Sequence, residues 1–175
     1  MLFDKRSILV WFLAAVSLFG YGCGATLLTS NYAGGKIRAG YQTALQPGEH
    51  LGNYRNDDLA IDYQYINNDR ELQIWGKVKF ASATQLNFNI IDYFNLSLLL
   101  GDSQSQILSH HGLVSTSWVN LTSANNEVRF SQAVKLPPGA SVMAFTYTGQ
   151  ASEGGSGDAE DGGSNVQFWE YPIVK

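Results

Sequence analysis

One cysteine, Cys23, stands in a chain of 175 residues that also holds only four prolines and three histidines. A lone thiol excludes an internal disulfide framework and any metal site built on paired cysteines. Charge is sparse as well, at 15% of residues, and the 11 Lys and Arg against 15 Asp and Glu leave a net charge of −4. Basic clusters are absent, which argues against nucleic acid as a partner, because phosphates demand Lys and Arg. No Gly-x-Ser-x-Gly elbow, His-Glu-x-x-His pair or phosphate-cradling glycine loop occurs, so no signature of a hydrolase, a zinc peptidase or a nucleotide enzyme is present. Long segments with a period of 3.6 residues are missing too, which argues against a helical fold. The one long apolar run, Ile8 to Phe19 broken by Ser17, ends in Gly20 and Gly22 and falls short of the ~20 residues a membrane span requires.

Aromatic residues are plentiful: nine Tyr, nine Phe and four Trp. Together with the β-branched residues they favour strands. Leu59, Ile61, Tyr63 and Tyr65 alternate with polar neighbours, and Leu72, Ile74, Gly76, Val78 and Phe80 do the same beyond the turn signal Asn67-Asn68-Asp69-Arg70. A period of two with one apolar face predicts a hairpin. Residues 82–92 are compatible with a strand or a short helix. Phe94, Leu96, Leu98 and Leu100 alternate again, although Leu99 makes that end apolar on both faces. After Gly101-Asp102-Ser103 the chain returns through Ile107-Leu108 and Leu113-Val114, and Val128, Phe130 and Val134 form the next strand. Pro137-Pro138-Gly139 then launches residues 141–148, where Met143, Phe145 and Tyr147 share a face, and Val166–Tyr171 is the last candidate. Seven or eight short strands with polar turns indicate an all-β fold, an antiparallel β-sandwich of immunoglobulin-like type. A jelly roll and an eight-stranded barrel are the alternatives.

The N-terminus reads in the order of a secretory signal: Lys5 and Arg6 beside Asp4, the short apolar run, then Gly20-Tyr21-Gly22-Cys23-Gly24-Ala25. Small residues on both sides of a cysteine resemble the lipobox of bacterial lipoproteins, although Gly20 and Tyr21 stand where such boxes usually carry Leu and Ala or Ser. The resemblance implies cleavage after residue 22 and acylation of Cys23 with chains such as palmitate, which makes the membrane the first partner. It also implies sorting to the outer membrane, since the residue after the cysteine is Gly24 and not Asp. The physical alternative is an ordinary secretory leader with an incidental thiol. Residues 1–22 are then the signal, 23–35 the lipidated N-terminus and short tether, and 36–175 a single sandwich domain with a Gly- and acid-rich loop at 149–165. The mature chain carries nine basic and fourteen acidic side chains, net −5. The strand, the Gly101-Asp102 turn, the return strand and the Leu136-Pro137-Pro138-Gly139 step resemble small envelope sandwich domains of bacterial lipoproteins, FxLYD-type domains among them, over about residues 72–148.

Four features invite chemistry. Glu153, Asp158, Glu160 and Asp161 lie in or beside the glycine-rich stretch 154–163 and offer oxygen ligands for calcium, but the spacing matches neither an EF-hand nor the glycine-rich calcium nonapeptide. A polar loop without an apolar anchor is the simpler account, and no cofactor is called for. His110 and His111 are adjacent, so on a strand they point to opposite faces and do not share a metal ion unless the chain turns at Gly112. Asp57, Asp58 and Asp62 supply carboxylates, yet glycoside hydrolysis needs a pair set across a cleft, and clustered Asp beside Asn53, Arg55 and Asn56 reads as a polar loop. Trp75, Trp118 and Trp169, with Tyr63, Tyr65 and Tyr171, offer stacking faces for a sugar; the alternative is that they fill the core and cover sheet edges. The triplets at Asn95 and Asn120 match glycosylation acceptors, which arise by chance in a chain rich in Asn.

The function these residues point to is a non-catalytic envelope lipoprotein that presents a β-sandwich for a structural role or for binding another envelope protein. A carbohydrate or small-ligand module built on the exposed aromatics is the second reading. An enzyme is the third, and it requires a concave site with convergent acids or histidines.

Overall fold

Alternating apolar residues become strands here because each buried face finds a facing sheet. The computed structural model describes residues 32, 34–123, 126–153 and 164–175. The leader, Cys23 and the calcium candidates Asp158, Glu160 and Asp161 lie outside the described residues. Eight strands of six or more residues are described: β3 (Gly48–Arg55), β4 (Leu59–Asn67), β5 (Glu71–Phe80), β6 (Ile90–Gly101), β7 (Ile107–Asn120), β8 (Glu127–Lys135), β9 (Val142–Ser152) and β10 (Asn165–Glu170). Three two-residue strands accompany them: β1 (Lys36–Ile37), β2 (Thr43–Ala44) and β11 (Ile173–Val174). The ambiguous stretch after β5 resolves into both options in turn, a short helix α1 (Ser82–Asn87) followed by the start of β6. Among the described residues no helix is long and apolar enough to cross a membrane.

One sheet runs β3-β4-β5-β8 and the other β10-β9-β6-β7, with β2 also on β9, and every pairing is antiparallel. The predicted hairpin is β4-β5, in which Asn67 pairs with Leu72 across the Asn-Asp turn. Among the eight long strands the chain changes sheet between β5 and β6, between β7 and β8, and between β8 and β9, so that β5 pairs β8 in one layer and β6 pairs β9 in the other. These are the neighbour relations of the immunoglobulin sandwich, with β4, β5 and β8 in the A, B and E places, β6, β9 and β10 in the C, F and G places, and β7 beside C. A jelly roll or a closed barrel orders its strands differently.

The two inner faces supply one core, from Ile61 and Tyr63 on β4 through Ile74 and Val78 on β5 to Phe94, Leu96 and Leu98 on β6 and Phe145 and Tyr147 on β9. Each such residue contributes about 1.5–3 kcal/mol relative to exposure. A second, smaller core lies on the opposite side of the β10-β9-β6-β7 sheet, where Leu99 and Ala144 are covered by Ile37 with Ile107, Ile173, Tyr32 and Tyr41. The β1-β11 ribbon is therefore the reason Leu99 is apolar on what is otherwise an outward-facing position.

Candidate functional site

Once both cores are assigned, the outer face of the β10-β9-β6-β7 sheet beyond the ribbon stays open. Register places Trp169, Thr148, Asn95 and Ser115 in one cross-strand row and Gln167, Gln150, Tyr93 and Ser117 in the next. Tyr93, Trp169 and Tyr171 are 37%, 60% and 45% exposed. With Thr148, Gln167 and Phe168 they line a depression of about 230 Å³. The polar groups of the row that leads to it are linked before anything binds: Ser115 Oγ donates to Asn95 Oδ1 at 2.7 Å, and Asn95 Nδ2 reaches Thr148 Oγ1 at 3.5 Å. Asp92, the bulge residue between Ile91 and Tyr93, accepts from Ser152 Oγ at 2.7 Å and from Gln150 Nε2 at 3.1 Å.

The platform is set from beneath. Phe168 is buried and its ring lies across Gly149, where a Cβ would collide with it. That close fit seats β10 on β9 and turns the next residue, Trp169, outward.

Trp169 also borders a side cleft of about 390 Å³ with Asp57, Asp58, Thr84, Asn87 and Val166 in its walls. The turn carrying the two acids is fixed by Asn56, whose Oδ1 accepts from the Asp58 and Leu59 amides at 3.1 Å each. Asn56 Nδ2 donates to Tyr147 Oη at 2.6 Å and to Tyr54 Oη at 3.2 Å, while the Tyr147 hydroxyl donates to Asp58 Oδ2 at 2.7 Å. Burial, with Asp58 beside it, pushes the Tyr147 phenol well up, and burial first of all pushes Tyr54 up to about 12. Both are fixed hydrogen-bonding groups, not proton carriers at neutral pH. The third acid, Asp62, is elsewhere: it faces outward on the other sheet and accepts from Asn53 Nδ2 at 2.5 Å. Among the described lining residues no carboxylate stands across the cleft from Asp57 and Asp58.

The three tryptophans do not converge. Trp75 is half-buried on the outer face of the β3-β4-β5-β8 sheet, between Gln64 and Ser131. Trp118 is 73% exposed on β7, at the opposite edge of its sheet from Trp169. Tyr63 and Tyr65 are core residues. Tyr93 joins Trp169 in their place; the strand start was unclear in the sequence, and a tyrosine beside a bulge gives no sign of its face. His110 and His111 do diverge, His110 stacking on Tyr32 at 4.5 Å and His111 reaching Ser109 Oγ at 2.9 Å. Among the described residues no group of three or more His, Cys, Asp or Glu is placed to hold a metal ion. Comparison with protein-family models, with curated proteins and with solved structures finds no match.

Proposed function

We propose that the protein is a lipid-anchored, non-catalytic envelope lipoprotein that holds its β-sandwich close to the membrane, the outer membrane by the Gly24 argument, and binds another envelope component. The observation that supports this is where Tyr32 docks on the sandwich. Tyr32 packs on His110 and against the ribbon at the β6-β7 turn, and Ile37 N–H donates to Ser105 O at 2.8 Å in that turn. The segment from Cys23 to Tyr32 spans at most roughly 30 Å fully extended. An anchor at Cys23 then keeps the ribbon end near the lipid and leaves the open rows of the sheet further out.

Acyl chains give a lasting hold, because each buried methylene adds about 0.8 kcal/mol and two chains suffice. The exposed Tyr93, Trp169 and Tyr171 around one depression favour a second reading, that the component bound is a ligand and not a protein.

Intact mass and detergent phase partition of the chain expressed in a bacterium, beside Cys23→Ala, test the anchor. The expected result is an acylated Cys23 at the N-terminus and entry into the detergent phase, both lost in the variant. A cleaved, unmodified chain in the aqueous phase rejects it.

A further inference from the structure

We propose that the outer face of the β10-β9-β6-β7 sheet is a binding site for a neutral polysaccharide, with Tyr93, Trp169 and Tyr171 as the stacking surface. The proposal rests on the ligand-binding reading above and gives it a site and a ligand class. A sugar ring offers a face of C–H groups and a rim of hydroxyls that both donate and accept. Its complement is an aromatic plane flanked by side chains with the same double capacity, which Asn, Gln, Ser and Thr have and Lys, Arg or ionised Asp lack. The two open rows consist of these types: Ser115, Asn95 and Thr148 lead to Trp169, and Ser117 and Gln150 flank Tyr93.

Charge selects among occupants. Neither row contains a formal charge, and Asp92 beside them has each carboxylate oxygen engaged, by Ser152 and by Gln150. The outer face of the other sheet is the reverse, with Arg55, Lys77, Lys79, Arg129 and Lys135 set among Glu49, Asp62, Glu71 and Glu127. A charged polymer, a lipid headgroup or a charged protein surface finds partners of opposite sign on that face and none in these rows. A neutral polyol is matched here, and no charge has to be stripped of water to bind it.

Size and order agree. Four strands about 4.8 Å apart give a row roughly 14 Å long, and the 230 Å³ depression at its Trp169 end is open, smaller than the ~300–1,000 Å³ of enclosed ligand pockets. That is room for one ring of a chain whose neighbours lie along the sheet. The Ser115-Asn95-Thr148 bonds fix rotamers in advance, which lowers the ordering cost of binding.

The test titrates the full chain, purified from whichever fraction holds it, in a polyoxyethylene detergent without a sugar headgroup, with hexasaccharides of glucose (β1,4 and β1,3), xylose and mannose, and with an anionic hexauronate. Calorimetry and tryptophan emission are the readouts. At least one neutral hexasaccharide is expected to bind and shift the emission. Trp169→Ala and Tyr93→Ala are expected to weaken it by about tenfold or more, with Trp169→Phe recovering part of the loss and Trp75→Ala leaving it unchanged. All four are checked by thermal melting for an intact fold. Absence of binding by every neutral hexasaccharide, preference for the uronate, or loss with Trp75→Ala but not Trp169→Ala overturns the proposal. The anchor is judged by mass and phase partition alone, so an unlipidated chain that binds sugar rejects the anchor and keeps the site.

Discussion

A single hydroxyl ties the two sheets together at the end where the β3-β4 turn closes. Tyr147 belongs to β9, and its hydroxyl meets Asp58 and Asn56 of a turn about ninety residues earlier in the chain. Burial of that phenol is acceptable only because both bonds are made. Tyr147→Phe keeps the ring against Phe94 and Phe168 but leaves Asp58 Oδ2 and Asn56 Nδ2 each one partner short. The expected cost is about 1–3 kcal/mol in a denaturant titration, the range for stranding buried polar groups. A change under about 0.5 kcal/mol would mean that water replaces the hydroxyl and that the turn is held by Asn56 alone. Nothing in the sequence marks Tyr147 apart from its neighbours Met143 and Phe145, since alternation reports which face a residue takes and not what its polar tip meets.

Elements were legible where burial was one-sided. The strands β4 and β5 carry apolar alternation from end to end, and β9 shows it at Met143, Phe145 and Tyr147 although Ala144 and Thr146 are buried on its other face. By contrast β3 was not foreseen: its inward positions are His50, Gly52 and Tyr54, and the space over Gly52 is filled by the Tyr63 ring of the neighbouring strand. An edge strand that borrows its core residue from its partner has no hydrophobic period of its own. The open face was equally silent, because its Asn, Gln, Ser and Thr side chains look like any solvated ones until register sets them side by side. Trp118 is the case where an element bears strain. It lies on β7 opposite Asp92, where β6 bulges, and its φ of 58° is in the left-handed region that a bulky side chain adopts at a cost of roughly 1–2 kcal/mol. Its indole is mostly exposed, so little packing is lost on removal. Trp118→Gly is therefore expected to raise the melting temperature, or at worst leave it unchanged, in a thermal scan. A clear fall would show that the indole contributes packing larger than the strain.

At the scale of the whole molecule, stability is linked to pH through the two histidines of β7. His110 is half-buried between the sheet and Tyr32, and burial, then the neighbouring His111, holds its pKa below the ordinary 6.5; burial alone does the same for His111. The unfolded chain thus takes up protons at a higher pH than the folded one. Where the unfolded state binds more protons, unfolding free energy rises with pH, so the contribution of both histidines is complete above about pH 6.5 and is lost as the pH falls through the lowered folded values. Because His110 is where Tyr32 docks and its burial disfavours the charged ring, the same protonation weakens that contact, and acidification loosens the ribbon end along with the fold. The measurement is melting temperature from pH 8 to pH 5 for the wild type and for His110→Phe with His111→Gln, a pair that keeps a ring against Tyr32 and a hydrogen-bonding group against Ser109. The wild type is expected to lose stability below pH 6.5, and the variant to show a flatter curve whatever its absolute melting temperature. Equal slopes in the two proteins would place the acid sensitivity in other groups and leave the Tyr32 contact indifferent to pH.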